Sequence, residues 1–177
     1  AHAIGGLAPD ANYNVYVDGV WADGFIAGAS VADGVVRANA SGVVTFSYTG
    51  GYSNVTFEIA AAIPGDFDGS GAADGLDIDR MFDEIKAGTH RTPFDLTLDE
   101  QVDSSDADTL IRDLLHSEYG DADLDGAVDL NDLSTLASNW DESGGMSWTE
   151  GDFTGDGQVD LNDLSILASN WGVGTAL

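Results

Sequence analysis

The chain has 177 residues, 32 of them acidic and 5 basic, for a formal charge of −27. That field repels polyanions and excludes nucleic acid as a partner, while insertion into a membrane would need about 18 consecutive apolar residues, which the chain lacks. Without cysteine it has no disulfide framework and no thiol chemistry.

Disorder, the usual companion of high net charge, does not fit. Hydrophobic residues make up 43% of the chain, and Asp alternates with Val, Leu, Ile and Trp at regular spacing. The opening AHAIGG has neither the charged start nor the apolar run of a signal peptide, so a secreted form is expected to be the mature one.

Residues 1–63 hold five of the acids and one Arg. Tyr13, Val15 and Val17 alternate with Asn12, Asn14 and Tyr16 up to a turn at Asp18-Gly19. Val43 to Tyr48 alternates again, breaks at Gly50-Gly51, and resumes from Val55 to Ile59. Strands between glycine-rich turns, without a helical period, predict a small antiparallel β-sandwich. The phrase GLAPDANYNVYV resembles the Leu-x-Pro-x-x-x-Tyr-x-Val-x-Val segment of fibronectin type III domains, whose tyrosine anchors a corner between the sheets. There the tyrosine falls late in a domain of about 100 residues. Here it is Tyr13, so the resemblance is either local or the mark of a sandwich short of strands. Two N-glycosylation sequons, at Asn39 and Asn54, lie in this half.

Ile63-Pro64-Gly65 marks a boundary, beyond which residues 64–177 carry 27 acids and four basic residues. The stretches GDADLDGAVDLNDLSTLASNW, from Gly120, and GDFTGDGQVDLNDLSILASNW, from Gly151, agree at 16 of 21 positions. In the first, Asp121, Asp123, Asp125, Asp129 and Asp132 take positions 1, 3, 5, 9 and 12 of a loop with Gly126 at position 6. This is the spacing of an EF-hand calcium loop. Asp152, Thr154, Asp156, Asp160 and Asp163 repeat it around Gly157. Asp66, Asp68, Ser70, Asp74 and Asp77 form a further copy with Gly71, and Asp95, Thr97, Asp99, Asp103 and Asp106 form another with Glu100 at the bend.

The chemistry explains the spacing. A hard cation takes six to eight oxygens at about 2.3–2.6 Å, so one loop must curl around it. The backbone carbonyl at position 7, from Ala72, Gln101, Ala127 or Gln158, is expected to add a ligand. The bend at position 6 asks for positive φ and therefore glycine, which makes loop 2, with Glu100, the weakest of the four.

Each loop runs into a stripe of i, i+3, i+4, i+7 apolar residues: Ile78, Met81, Phe82 and Ile85; Ala107, Leu110, Ile111 and Leu114; Leu133, Leu136, Ala137 and Trp140; Leu164, Leu167, Ala168 and Trp171. These are expected to be helix faces in the core, both Trp included. Position 8 is apolar in every copy (Ala73, Val102, Val128 and Val159), which suggests that paired loops join through a short two-stranded contact.

No entering helix precedes the loops at Asp66 and Asp152, and position 12 is Asp where common EF-hands have Glu. Both features resemble dockerin modules, which carry two tandem loop–helix repeats. The resemblance covers residues 65–172. Together with the sandwich expected over 1–63, it implies an α+β, multidomain chain with dockerin-like pairs over 64–119 and 120–177 and three or four calcium ions. Dockerins bind cohesins, themselves β-sandwiches, through helix surfaces of the repeats. The matching residues here are Leu130, Asn131 and Ser138, with Leu161, Asn162 and Ser169. Known dockerins often place hydroxyl residues where Leu130-Asn131 and Leu161-Asn162 stand.

Catalysis is not expected: His2, His90 and His116 lie in unrelated contexts, and no HExxH, GxSxG or phosphate loop appears. The favoured function is a secreted calcium-binding structural protein, extracellular or at the cell surface. Its partner would be itself, head to tail in a filament or layer, or a cohesin-like β-sandwich. The alternative is a dockerin appendage of a larger secreted, polysaccharide-degrading enzyme.

Overall fold

Short β-branched runs separated by glycine give short strands: β1 (His2–Ile4), β2 (Asn12–Val17), β3 (Val20–Trp21), β4 (Ile26–Ala27), β5 (Val31–Ala32), β6 (Val35–Arg37), β7 (Val44–Tyr48) and β8 (Phe57–Ala61). They belong to a computed structural model that describes residues 2–9, 11–18, 20–22, 26–27, 31–32, 34–49 and 55–174. The expected turn at Gly50-Gly51 and the sequon residue Asn54 lie outside those residues.

The chain is α+β, and among the described residues every strand pairing is antiparallel. One sheet has the order β1-β7-β4; the other runs β3-β2-β6-β5, with β8 also paired to β2. Val15 sits opposite Ile59 and Tyr13 opposite Val36. Tyr13, Val15, Val36, Val44 and Phe46 meet in one buried cluster, so the two sheets share a core. The Tyr13 hydroxyl accepts the Ala8 N–H at 2.8 Å and ties the segment before β2 to that strand. The last strand starts at Phe57 rather than Val55. Asp18 holds its entry, accepting Thr56 N–H on Oδ1 at 2.7 Å and donating its own N–H to Thr56 O at 2.8 Å.

The second half contains four helices among the described residues: α1 (Gly75–Ala87), α2 (Ser104–Asp108), α3 (Leu130–Ser138) and α4 (Leu161–Ser169). All start alike. The Asp at loop position 9 (Asp74, Asp103, Asp129 or Asp160) is the N-cap, and the Asp at position 12 closes a reciprocal capping box. Helix α2 continues into a wider π-type turn over Thr109–Leu114, where Leu115 N–H bonds back to Leu110 O at 3.0 Å. Apolar residues from all four helices and loops form one cluster, including Ile78, Met81, Phe94, Leu110, Ile111, Leu136, Phe153 and Leu167 around a fully buried Trp148.

Two expectations are corrected. Trp140 and Trp171 are not core: they are 45% and 47% exposed, Ala137 and Ala168 are exposed with them, and so is Leu114 at the end of the second stripe. The stripe ends early because each helix stops at Ser138 or Ser169, and the following Asn leaves helical geometry. Asn139 Nδ2 then donates to Glu150 O at 2.8 Å, and Asn170 Nδ2 to Tyr119 O at 2.8 Å, which turns the next Trp outward. The position-8 residues, moreover, do not pair with one another. Val128 exchanges backbone bonds with Gly172 and Val173, Val159 does so with Asp141 and Glu142, and Val102 N–H finds His90 Nδ1 at 2.9 Å.

Repeats 3 and 4 therefore clasp each other reciprocally, each loop holding the chain that leaves the other's helix. The approach is close enough to require glycine before each loop. A Cβ on Gly120 would lie 2.8 Å from Leu167 Cα, and one on Gly151 would lie 2.9 Å from Leu136 Cα. Gly151→Ala is expected to destabilise the protein by about 2–4 kcal/mol, combining overpacking with left-handed strain. Gly144→Ala, also at positive φ but with nothing within 4 Å of its Cβ, should lose only the strain, about 1–2 kcal/mol. Urea unfolding of the two variants under identical conditions compares them.

Candidate metal centre

The four loops share one hydrogen-bond plan, although only two of them share most of their sequence. The position-12 carboxylate reaches back across the loop. Asp77 accepts Phe67 N–H at 2.7 Å and Asp74 N–H at 2.9 Å; Asp106 accepts Leu96 N–H at 2.8 Å and Asp103 N–H at 2.9 Å. Asp132 does the same with Ala122 (2.8 Å) and Asp129 (2.7 Å), and Asp163 with Phe153 (2.9 Å) and Asp160 (2.8 Å). The position-1 carboxylate meanwhile accepts the N–H groups of positions 5 and 6: Asp66 from Ser70 and Gly71, Asp95 from Asp99 and Glu100, Asp121 from Asp125 and Gly126, Asp152 from Asp156 and Gly157.

This plan gathers the acids unequally. Asp66, Asp68 and Asp77 in loop 1, and Asp121, Asp123 and Asp132 in loop 3, each offer carboxylate oxygens lying within 4.8 Å of one another. Loops 2 and 4 have Thr97 and Thr154 at position 3 and form no such three-acid group among the described residues. In loop 4 the Thr154 hydroxyl takes the acid's place beside Asp152, at 3.1 Å from its Oδ1.

The remaining candidates stand apart from these clusters. At position 5, Asp99, Asp125 and Asp156 accept the N–H of Gln101, Ala127 and Gln158 at 2.9 Å, and the Ser70 hydroxyl donates to Ala72 O at 3.1 Å. The position-9 acids are engaged as caps: Asp74 with Leu76 N–H, Asp103 with Ser105, Asp129 with Asn131 and Asp160 with Asn162.

The carboxylates at positions 1 and 12 are buried in loops 1, 3 and 4, and Asp106 is buried in loop 2. Desolvation is the main reason that the carboxyls of Asp66, Asp121, Asp123 and Asp152 lie above the ordinary range; neighbouring acids add to it and backbone N–H groups oppose it. Asp77 is pushed up to about 6, again first by burial and then by Asp68 and Asp74, against the N–H groups of Asp74 and Phe67. Crowded, desolvated carboxylates with only oxygen donors suit a hard divalent cation such as calcium or magnesium, and not a soft or nitrogen-seeking metal. Two buried acidic clusters in this chain could thus hold a metal ion.

Sequence spacing pointed to the bend at position 6, and Gly71, Gly126 and Gly157 have φ of 99°, 88° and 86° there. It missed a second left-handed residue at position 4: Gly69, Leu98, Leu124 and Gly155, with φ from 56° to 73°. Glycine in two of the four copies was the available signal. Also missed were the Ser117 hydroxyl, which donates to Asp121 Oδ2 at 2.8 Å, and Trp148, whose indole N–H donates to Asp121 O at 2.7 Å.

Of the candidate partner residues, Leu130 and Leu161 are 70% and 66% exposed, and Asn131 and Asn162 are exposed beside them. Ser138 and Ser169 are exposed too, with hydroxyls bonded to Ser134 O and Ser165 O at 2.7 Å. Asn39 is exposed, its Oδ1 accepting Ser41 N–H at 2.9 Å and Val43 N–H at 3.1 Å. Among the described residues no helix is long and apolar enough to cross a membrane. Compared with protein-family models, curated proteins and solved structures, the chain matches none.

Glu100 holds φ of 69°, a conformation that glycine adopts without steric penalty. Glu100→Gly should stabilise loop 2 by up to about 1 kcal/mol, read as a higher urea midpoint and tighter metal binding at that loop. The Asp77 carboxyl gives a pH signature. Its folded pKa, about 6, exceeds the unfolded value, so the native chain binds the extra proton. Metal-free protein should therefore lose stability as pH rises from about 4 to 6. With metal the trend should reverse, because protons compete for the same oxygens. Melting curves at pH 4.5, 5.5 and 7, with chelator and with calcium, measure both slopes.

Proposed function

We propose that this chain is a non-catalytic, calcium-binding structural protein of the extracellular space or cell surface, whose dockerin-like loop–helix repeats mediate calcium-dependent protein–protein assembly. One observation carries the proposal: four loops of twelve-residue spacing share the same carboxylate-to-backbone plan, each closed by an aspartate that also caps the following helix. Asp66, Asp68 and Asp77, and Asp121, Asp123 and Asp132, would supply the charged ligands in loops 1 and 3. In loops 2 and 4 the position-1 and position-12 acids would act with Thr97 or Thr154 and the carbonyls of Gln101 or Gln158. Such oxygen-only sites suit the millimolar calcium found outside cells.

Exposed Leu130 and Leu161 support the assembly part of the proposal. They begin equivalent helices in two repeats that clasp each other reciprocally, so the same apolar residue is offered twice. Leu130-Asn131 and Leu161-Asn162 are too small a patch for a stable interface of about 1,200–2,000 Å². The β half, or residues of loops 1 and 2, would have to contribute as well. Self-association into a head-to-tail array uses one chain for both sides of the contact.

The test is removal of the metal. Each site filled at a hundredfold excess over its dissociation constant contributes about 2.7 kcal/mol. Excess chelator should abolish the helical circular dichroism signal while leaving the β signal of residues 2–61, and calcium should restore it. Light scattering across a range of protein concentrations should show larger species with calcium than with chelator. Helices indifferent to chelator would overturn the calcium assignment, and a strict monomer in millimolar calcium would overturn self-assembly alone.

A further inference from the structure

We propose that the metal loops are coupled through Trp148, so that filling loop 1, loop 3 or loop 4 raises the affinity of the other two. The inference rests on the calcium proposal above and concerns how those sites communicate.

Trp148 is fully buried and touches loop 3, loop 4 and the helix α1 that loop 1 runs into. Its indole N–H donates to the carbonyl of Asp121, the first residue of loop 3, at 2.7 Å. Its backbone N–H donates to Asp79 Oδ1 at 2.8 Å, on α1 just after Asp77 closes loop 1. Its ring meets Phe153 edge-on at 5.2 Å between centroids. Phe153 is position 2 of loop 4, and its N–H is the one held by Asp163 at 2.9 Å. A second tie runs beside the first. Lys86 Nζ on α1 donates to the carbonyl of Gly155 in loop 4 at 2.6 Å, and a Cβ on Gly155 would lie 2.5 Å from the Phe82 ring.

These contacts make one loop's closed shape a condition of the others'. Without a cation, the buried carboxylates within a loop repel one another and favour its opening. Opening loop 3 withdraws the Asp121 carbonyl and leaves a buried indole N–H unpaired, which a close-packed interior resists. Opening loop 4 moves Phe153 off the same ring, and shifting α1 removes the acceptor of the Trp148 N–H. A cation that closes any one loop thereby stabilises the seat of Trp148 for all three. Linkage makes the effect reciprocal.

The experiment is calorimetric calcium titration of the full chain, with tryptophan emission followed in parallel. Asp68→Asn and Asp123→Asn each remove one carboxylate from the loop 1 or loop 3 cluster at a position that is not fully buried, so the fold is retained. With coupling, Asp68→Asn weakens binding at loops 3 and 4 by about fivefold or more, and Asp123→Asn weakens loop 1 by the same factor. Trp148→Phe should erase that cross-effect in a double-mutant cycle with Asp68→Asn. Lys86→Met, which removes the tie to Gly155 from a half-exposed side chain that is neither a candidate metal ligand nor part of the buried core, should reduce the cross-effect between loops 1 and 4 even where Trp148→Phe folds poorly. Isotherms of Asp68→Asn and Asp123→Asn that superimpose on wild type at all remaining sites would overturn the coupling. A wild-type chain that binds no calcium would overturn the calcium proposal itself and the coupling with it.

Discussion

Each loop of the acidic half hangs on one buried aspartate. The position-12 carboxylate spans its loop, fixing the N–H of position 2 with one oxygen and that of position 9 with the other, while sitting in the first turn of the next helix. Loop closure and helix start are therefore a single event. Placing a carboxylate there is costly, because desolvation disfavours its charge. The ion pairs among the described residues lie outside the loops: Lys86, Arg91 and Arg112 pair with Asp83, Glu84, Asp108 and Glu118, while Arg80 and Lys86 reach loops 1 and 4 at the backbone carbonyls of Phe67 and Gly155. The folded arrangement stores repulsion that an external cation, or a proton, can relieve.

The rest of the acidic half is arranged around keeping those closed loops in register. Single-turn loops and nine-residue helices are too short to persist alone, so each relies on a neighbour. Repeats 3 and 4 solve this symmetrically, through Gly120 against Leu167 and Gly151 against Leu136, and through Asn139 and Asn170 reaching the carbonyl just before each loop. In repeats 1 and 2 the fit is less symmetric. Gly65 faces Leu110, but Phe94 stands where the second glycine would be and stacks on Phe67 at 4.2 Å. Glu84, buried and paired to Arg91, anchors the chain between them. A duplicated loop plan does not require duplicated packing.

The β half follows a different rule. It holds few acids, its core is aliphatic and aromatic, and its two sheets close over Val15, Val44 and Phe46 without any charged group among them. Nothing in that core waits on a cation. The two halves thus differ in what they bury: carboxylates in the acidic one, apolar side chains in the other.

Much of this was legible in the sequence because the loops are local devices; that the position-9 aspartates cap the helices came only with the structure. Twelve-residue spacing, glycine at the bend and apolar periodicity after position 12 placed the candidate ligands, helix starts and most of the core stripe. What interactions within a dozen residues decide, a sequence can state. The tertiary structure alone decided which tryptophan is buried. Trp140 and Trp171 continue an apolar stripe and yet face solvent, because Asn139 and Asn170 satisfy distant carbonyls and end the helices early. Trp148, in a glycine- and serine-rich connection with no periodicity to mark it, is the residue at the centre, since its position depends on α1, loop 3 and loop 4 arriving together from separate parts of the chain. The difference is one of range: capping and loop closure bind neighbours in sequence, whereas the core is made by side chains far apart along it.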